Sequence, residues 1–161
     1  MSERDLPREE LLTRIDTKWN RLLAKLESFS EDELNIPDAI GIWSLKDLIG
    51  HLETWDRIAI LKIQFAEQGE TRPWWQVLES PFNDIDEFNE ADAVANRDKS
   101  IDQLWRELHE CHDLLLEKIR SSDAVTSELI AVDTWEHYQV HLEDIEAWER
   151  QQPQPQDAQP D

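Results

Sequence analysis

Apolar residues recur every three to four positions over four long stretches of this chain, and no stretch shows the strict two-residue alternation of a half-buried strand. That period confines the chain to helices that bury one side against one another. The first stretch, residues 7–29, carries Leu11, Leu12, Ile15, Trp19, Leu22, Leu23, Leu26 and Phe29 on one side, with Pro7 suited to the first turn. Ser30 followed by Glu33 reads as a capping box, so residues 30–35 make one short extra turn before Pro37 interrupts. A second box, Ser44 with Asp47, opens a helix that runs to about Gln68 and stops at Gly69, with Trp43 as a staple residue just outside it. Gly50 inside this helix costs about 1 kcal/mol relative to alanine, which fits close packing by a neighbour or a merely tolerated glycine.

Residues 70–98 break the pattern with Pro73, Pro81, the pair Trp74 and Trp75, and many Asp and Asn. Helix connections usually take about 2–8 residues, so a link this long reads as a crossover holding short helical pieces, placed to cap a pocket or cover a dimer face. Such a crossover lets two successive helices run in the same direction. A third helix follows over residues 100–121, with Leu104, Leu108, Cys111, His112, Leu115 and Ile119 in its stripe, and a last one over residues 134–151. The expected fold is an all-α four-helix bundle over residues 1–150 with the long crossover between helices 2 and 3, then a disordered polar tail over 151–161.

Composition narrows function mainly by exclusion. Sixteen basic against 37 acidic residues leave a net charge of −21, so nucleic acid and anionic membranes are poor partners. No 18-residue apolar run and no apolar N-terminal segment occur, and a cytoplasmic protein is expected. Three glycines leave no phosphate-cradling loop, and the single Cys111 excludes an internal disulfide.

The chemistry-bearing residues are histidines. His137 and His141 lie one turn apart in TWEHYQVHLEDIEAW, on the face that also carries Asp144, Ile145 and Trp148. Two imidazoles do not complete a metal site, since catalytic zinc takes about three protein ligands and keeps one position open. His51 is the best third ligand, because it sits on the apolar side of the second helix near Leu48, Leu52 and Trp55, where a polar ring needs a reason. The rival cluster HECH does not converge, because His109 and Cys111 project about 200° apart around their helix. The residues alone leave two readings: three imidazoles holding a transition metal such as zinc, nickel or iron, or core histidines satisfied by carboxylates. Asp144, one turn beyond His141, is the candidate proton carrier or orienting group, and Trp43, Trp55 and Trp148 are the candidate walls of a substrate pocket.

The segments ELLTRIDTKWNRLLAKL, WSLKDLIGHLETWD, FNDIDEFNE and TWEHYQVHLEDIEAW together resemble the DinB-like superfamily of four-helix proteins, and within it the ClbS/DfsB branch. The resemblance implies a metal triad at His51, His137 and His141, a homodimer, and the same crossover. It also implies a choice of activities. The superfamily includes thiol-dependent transferases for small bacterial thiols, a maleylpyruvate isomerase and damage-induced proteins. The ClbS branch includes a resistance protein that opens the cyclopropane of a DNA-damaging natural product using aromatic and polar pocket residues. The expected function is therefore a divalent-metal enzyme acting on a small electrophile by hydrolysis or transfer of a low-molecular-weight thiol, in detoxification or stress resistance. A metal-independent hydrolase or sequestering protein, and a non-catalytic dimeric bundle, are the alternatives.

Overall fold

The computed structural model describes residues 6–152 and contains four long helices and four short ones. The long ones are α1 (Arg8–Glu27), α3 (Leu45–Glu67), α6 (Ile101–Ser121) and α8 (Trp135–Gln151). The short ones are α2 (Glu31–Leu34), α4 (Trp74–Val77), α5 (Ile85–Asn96) and α7 (Ser127–Ile130). Among the described residues there is no sheet, only an isolated bridge between Ile40 and Trp43. The polar tail lies outside the described residues, except for Gln151 and Gln152 at the end of α8.

Each boundary has a local cause. Ser44 accepts from the backbone N–H of Asp47 while the Asp47 carboxylate accepts from the N–H of Ser44, and Ser30 with Glu33 does the same for α2. Ser100 caps α6 through the N–H of Gln103. Gly69, at φ 79°, takes the left-handed turn that ends α3, where an L side chain is strained.

Contacts along the helices fix their directions. On α1 and α8, Lys18 meets Gln139 and Lys25 meets Glu149, so the two run parallel. On α3 and α6, Asp56 meets His112 and Glu67 meets Lys118, so these also run parallel. Lys62 meets Asp133 just before α8, and His51 meets His137, so α3 and α8 are antiparallel. The resulting order is up, down, down, up, the arrangement that the long link between α3 and α6 makes possible.

That link is largely helix. Along α3, Gly50, Thr54 and Trp55 touch Asn96, Asp92 and Asn89 in turn, which lays α5 antiparallel across it. A Cβ on Gly50 would lie 3.1 Å from Asn96 Nδ2, so the glycine serves the approach of α5. Trp74 is buried with Trp55, Val77 and Ile58 in a small second core, whereas Trp75 stays exposed. The main core is the shared interior of the four long helices, where Ile15, Leu22, Leu48, Leu108 and Ile145 are fully enclosed. Each such side chain contributes roughly 1.5–3 kcal/mol of burial.

Candidate metal centre

Antiparallel packing brings the middle of α3 against the first turns of α8, and this places three imidazoles together. His137 Nε2 lies 2.9 Å from His51 Nε2 and 2.9 Å from His141 Nε2. One ring nitrogen from each residue falls within 4.8 Å of those from the other two. Among the described residues this is the one group of three or more such side chains able to share an ion.

The arrangement suits a cation better than a set of hydrogen bonds. A neutral imidazole has one N–H and one acceptor nitrogen, so Nε2 of His137 cannot make a full hydrogen bond to both neighbours as either donor or acceptor. Three lone pairs turned to one ion remove that conflict. Tetrahedral coordination at about 2.1 Å places nitrogens about 3.4 Å apart, so the 2.9 Å contacts need to open by only a few tenths of an ångström. Burial, followed by the proximity of His141, holds His51 well below the ordinary imidazole range, and burial with both neighbours does the same for His137. These two rings are therefore neutral near pH 7, which is the ligand form. The orienting partners are sparse. Among the described residues, Nδ1 of each of the three rings is enclosed and has no hydrogen-bond partner. Asp144 Oδ2 approaches His141 Nδ1 to 3.3 Å, an ion-pair distance that lacks hydrogen-bond direction.

The rings face a cavity of about 230 Å³ whose walls include Trp43, Trp55, Ile85 and Asn89. Trp43 packs 4.7 Å from His51 between ring centroids, and Trp55 sits 6.0 Å from His137. Trp55 is held in place by donating from Nε1 to Asn89 Oδ1 at 3.0 Å. A larger cleft of about 660 Å³ adjoins it and shares Trp43 and Asn89. Asp144 and Trp148 line this outer cleft and do not line the histidine cavity. For Trp148 the reason is the helix rise: eleven residues separate it from His137, about 16 Å along α8. It packs edge-on against Phe29.

HECH stays apart from the site. His109 is exposed and stacks on Trp105, while Cys111 is buried and approaches the backbone oxygen of Glu53.

Sequence reasoning missed a second polar cluster. Asp56, fully buried, accepts from the Tyr138 hydroxyl and contacts His112 Nδ1 at 2.8 Å, and His112 stacks on Trp19 with centroids 3.8 Å apart. A signal was present. Asp56 falls four residues after Leu52 and three before Ala59, on the apolar stripe of α3, where an acid requires partners.

Fold and site together define an all-α bundle with a histidine-lined cavity between α3 and α8. The sequence profile of the DinB superfamily matches residues 14–149, and the chain belongs to that superfamily. No curated protein and no solved structure matches it. Among the described residues no helix is long and apolar enough to cross a membrane.

Proposed function

We propose that the protein is a divalent-metal enzyme that acts on a small electrophile by hydrolysis or by transfer of a low-molecular-weight thiol. The observation that carries this reading is the convergence of three imidazole nitrogens on one cavity. His51, His137 and His141 would hold zinc, nickel or iron, the depressed basicity of His51 and His137 keeping their lone pairs available near neutral pH. A divalent ion so held supplies an open position that lowers the pKa of water or a thiol and polarises an electrophile. Trp43 and Trp55 exclude solvent and give flat apolar contact to the substrate. Asp144, 3.3 Å from His141 and lining the outer cleft, would orient that ring or accept a proton at its carboxylate. Homodimerisation and a role in detoxification belong to the same proposal.

Elemental analysis of protein purified without an affinity tag tests it. About one transition-metal ion per chain is expected in the parent protein and almost none in His137→Ala. Equal, substoichiometric metal in both would end the metal reading.

One observation favours a second reading. Histidines that bind metals almost always pass their second nitrogen to a partner, and among the described residues none of the three Nδ1 atoms has one. A metal-independent protein of the ClbS/DfsB branch, hydrolysing or sequestering a reactive natural product between Trp43 and Trp55, would use the same cavity. Turnover of electrophiles by metal-stripped protein separates the two.

A further inference from the structure

The histidine cavity is poor in hydrogen-bond donors that a ligand could reach. Trp43, Trp55, Ile85 and Val132 give it apolar walls, and the Asp133 carboxylate offers only acceptor atoms, one of them 2.6 Å from Lys62 Nζ. The Nδ1 atoms of the three imidazoles are enclosed, and their Nε2 atoms crowd one another. The Trp43 indole N–H is enclosed as well. Asn89 differs. An indole N–H can only donate, so the 3.0 Å contact from Trp55 Nε1 identifies the amide oxygen of Asn89 and turns the amide nitrogen away from Trp55. Among the described residues Nδ2 has no protein acceptor and is not enclosed, and the spaces that Asn89 borders are the histidine cavity and the adjoining cleft. Two oriented N–H groups therefore stand unclaimed in the wall of the cavity that holds the imidazoles.

We infer that Asn89 selects and orients the substrate by donating from Nδ2 to a carbonyl oxygen of a small, single-ring electrophile. An enclosed apolar space of about 150 Å³ takes up benzene. The cavity's volume of about 230 Å³ therefore accepts one ring with a short carbonyl arm, the ring lying against Trp43 and Trp55. A molecule without an acceptor leaves the Asn89 N–H groups stripped of water and unpaired, which is what makes the donor selective. Trp55 belongs to the device: by occupying Oδ1 it keeps the amide from turning over and presenting an acceptor instead. When hydroxide or a thiolate adds to the carbonyl carbon, the C=O π pair moves onto the oxygen that Nδ2 already holds, so that contact strengthens as the new bond forms. This role for Asn89 rests on the histidine cavity being the reaction centre.

Binding to the metal-free protein tests this, since no ion is then present to draw the carbonyl. Acetophenone and α-methylstyrene share one shape and differ by an oxygen against a methylene group, and titration followed by proton–nitrogen correlation NMR measures both affinities. Asn89→Asp keeps the acceptor for Trp55 and replaces the donor with a second acceptor. It should weaken acetophenone about tenfold and change α-methylstyrene by less than about twofold. Comparing each probe across the two proteins cancels the greater hydrophobicity of the alkene. In the parent protein the Asn89 side-chain amide protons should move downfield with acetophenone and not with α-methylstyrene, a readout that stands even if the variant fails to fold. The role of Asn89 is overturned if acetophenone does not bind, if Asn89→Asp weakens both probes alike, or if the amide protons respond alike to both. Elemental analysis judges the metal reading separately. Stoichiometric metal without ketone selectivity removes only the role of Asn89, and ketone selectivity in a chain that never holds metal removes only the metal.

Discussion

Replacing Tyr138 with phenylalanine removes one oxygen from the centre of the bundle and almost nothing else. The ring is fully buried and packs 5.1 Å from Trp19, contacts that phenylalanine keeps. The loss is the hydrogen bond to Asp56, a carboxylate with no exposure, which then depends on His112 alone. A hydrogen bond to a charged group is worth about 1.5–3 kcal/mol, so Tyr138→Phe should destabilise by about 2 kcal/mol and lower the Tm by about 6 °C in a chain of this size. Urea unfolding followed by circular dichroism should show a lower midpoint at unchanged slope. His112→Phe preserves the stack on Trp19 and removes the other donor. The two changes together should cost at least about 1 kcal/mol more than their sum, because only the double variant strands the carboxylate. Adding Asp56→Leu to that double variant should recover most of the loss, since an apolar trio leaves no buried charge unpaired. Additive single effects, or a Tyr138→Phe cost below about 0.5 kcal/mol, would refute the view that Asp56 is shared between two donors.

In the metal-free protein, stability should fall as pH drops below about 6.5. The folded-state pKa values of His51 and His137 lie below their unfolded ones, so the unfolded chain takes up protons the folded one refuses, at up to about 2.7 kcal/mol per pH unit for two groups. The check is the pH dependence of urea midpoints against the His51→Gln, His137→Gln variant, which should lack that slope. Burial, with Asp56 and Glu53 nearby, pushes the Cys111 thiol up to about 12, so a disulfide reagent at about pH 8 should modify it only as fast as the bundle opens. Prompt stoichiometric labelling of the folded protein would contradict this. Lys62→Met should cost about 3 kcal/mol near neutral pH by leaving Asp133, 1% exposed in its side chain, without its cation. Burial already raises the Asp133 pKa, so the folded state binds that proton more readily and the deficit should shrink on acidification, as chemical denaturation at two pH values would show.

The long helices were legible because each stripe is a statement about one segment. Ser30 with Glu33 and Ser44 with Asp47 could be located from spacing for the same reason, since a capping box closes within four residues. His51 with His137 was a harder inference across the fold, and it worked because both sit on faces that a bundle must bury. Relations that depend on the register between helices were not visible. The stripe of α6 shows that His112 is buried, but the vertical offset of α6 against α3 decides that it meets Asp56 rather than His51. The position of Trp148 was hidden for a related reason: sharing an angular face with His137 says nothing about distance along the axis, and the axis carries it into the outer cleft.

The crossover decides how the two cavities relate. Were it a loose strap over the bundle, the walls it supplies would be poor determinants of what binds. Instead α5 is tied to α3 at three levels: Asn96 closes on Gly50, Thr54 donates to Asp92 at 2.8 Å, and Trp55 donates to Asn89. Asn89 belongs to the last of these contacts and to both cavities, so the residue that orients the aromatic wall of the histidine cavity also forms the boundary with the outer cleft. The clustered histidines come from α3 and α8, while Asp86, Asn89 and Glu90 come from α5. This separates the two jobs physically. Changes on α5 can alter which molecule is held without disturbing the imidazoles, provided the contacts at Gly50, Thr54 and Trp55 keep the helix seated.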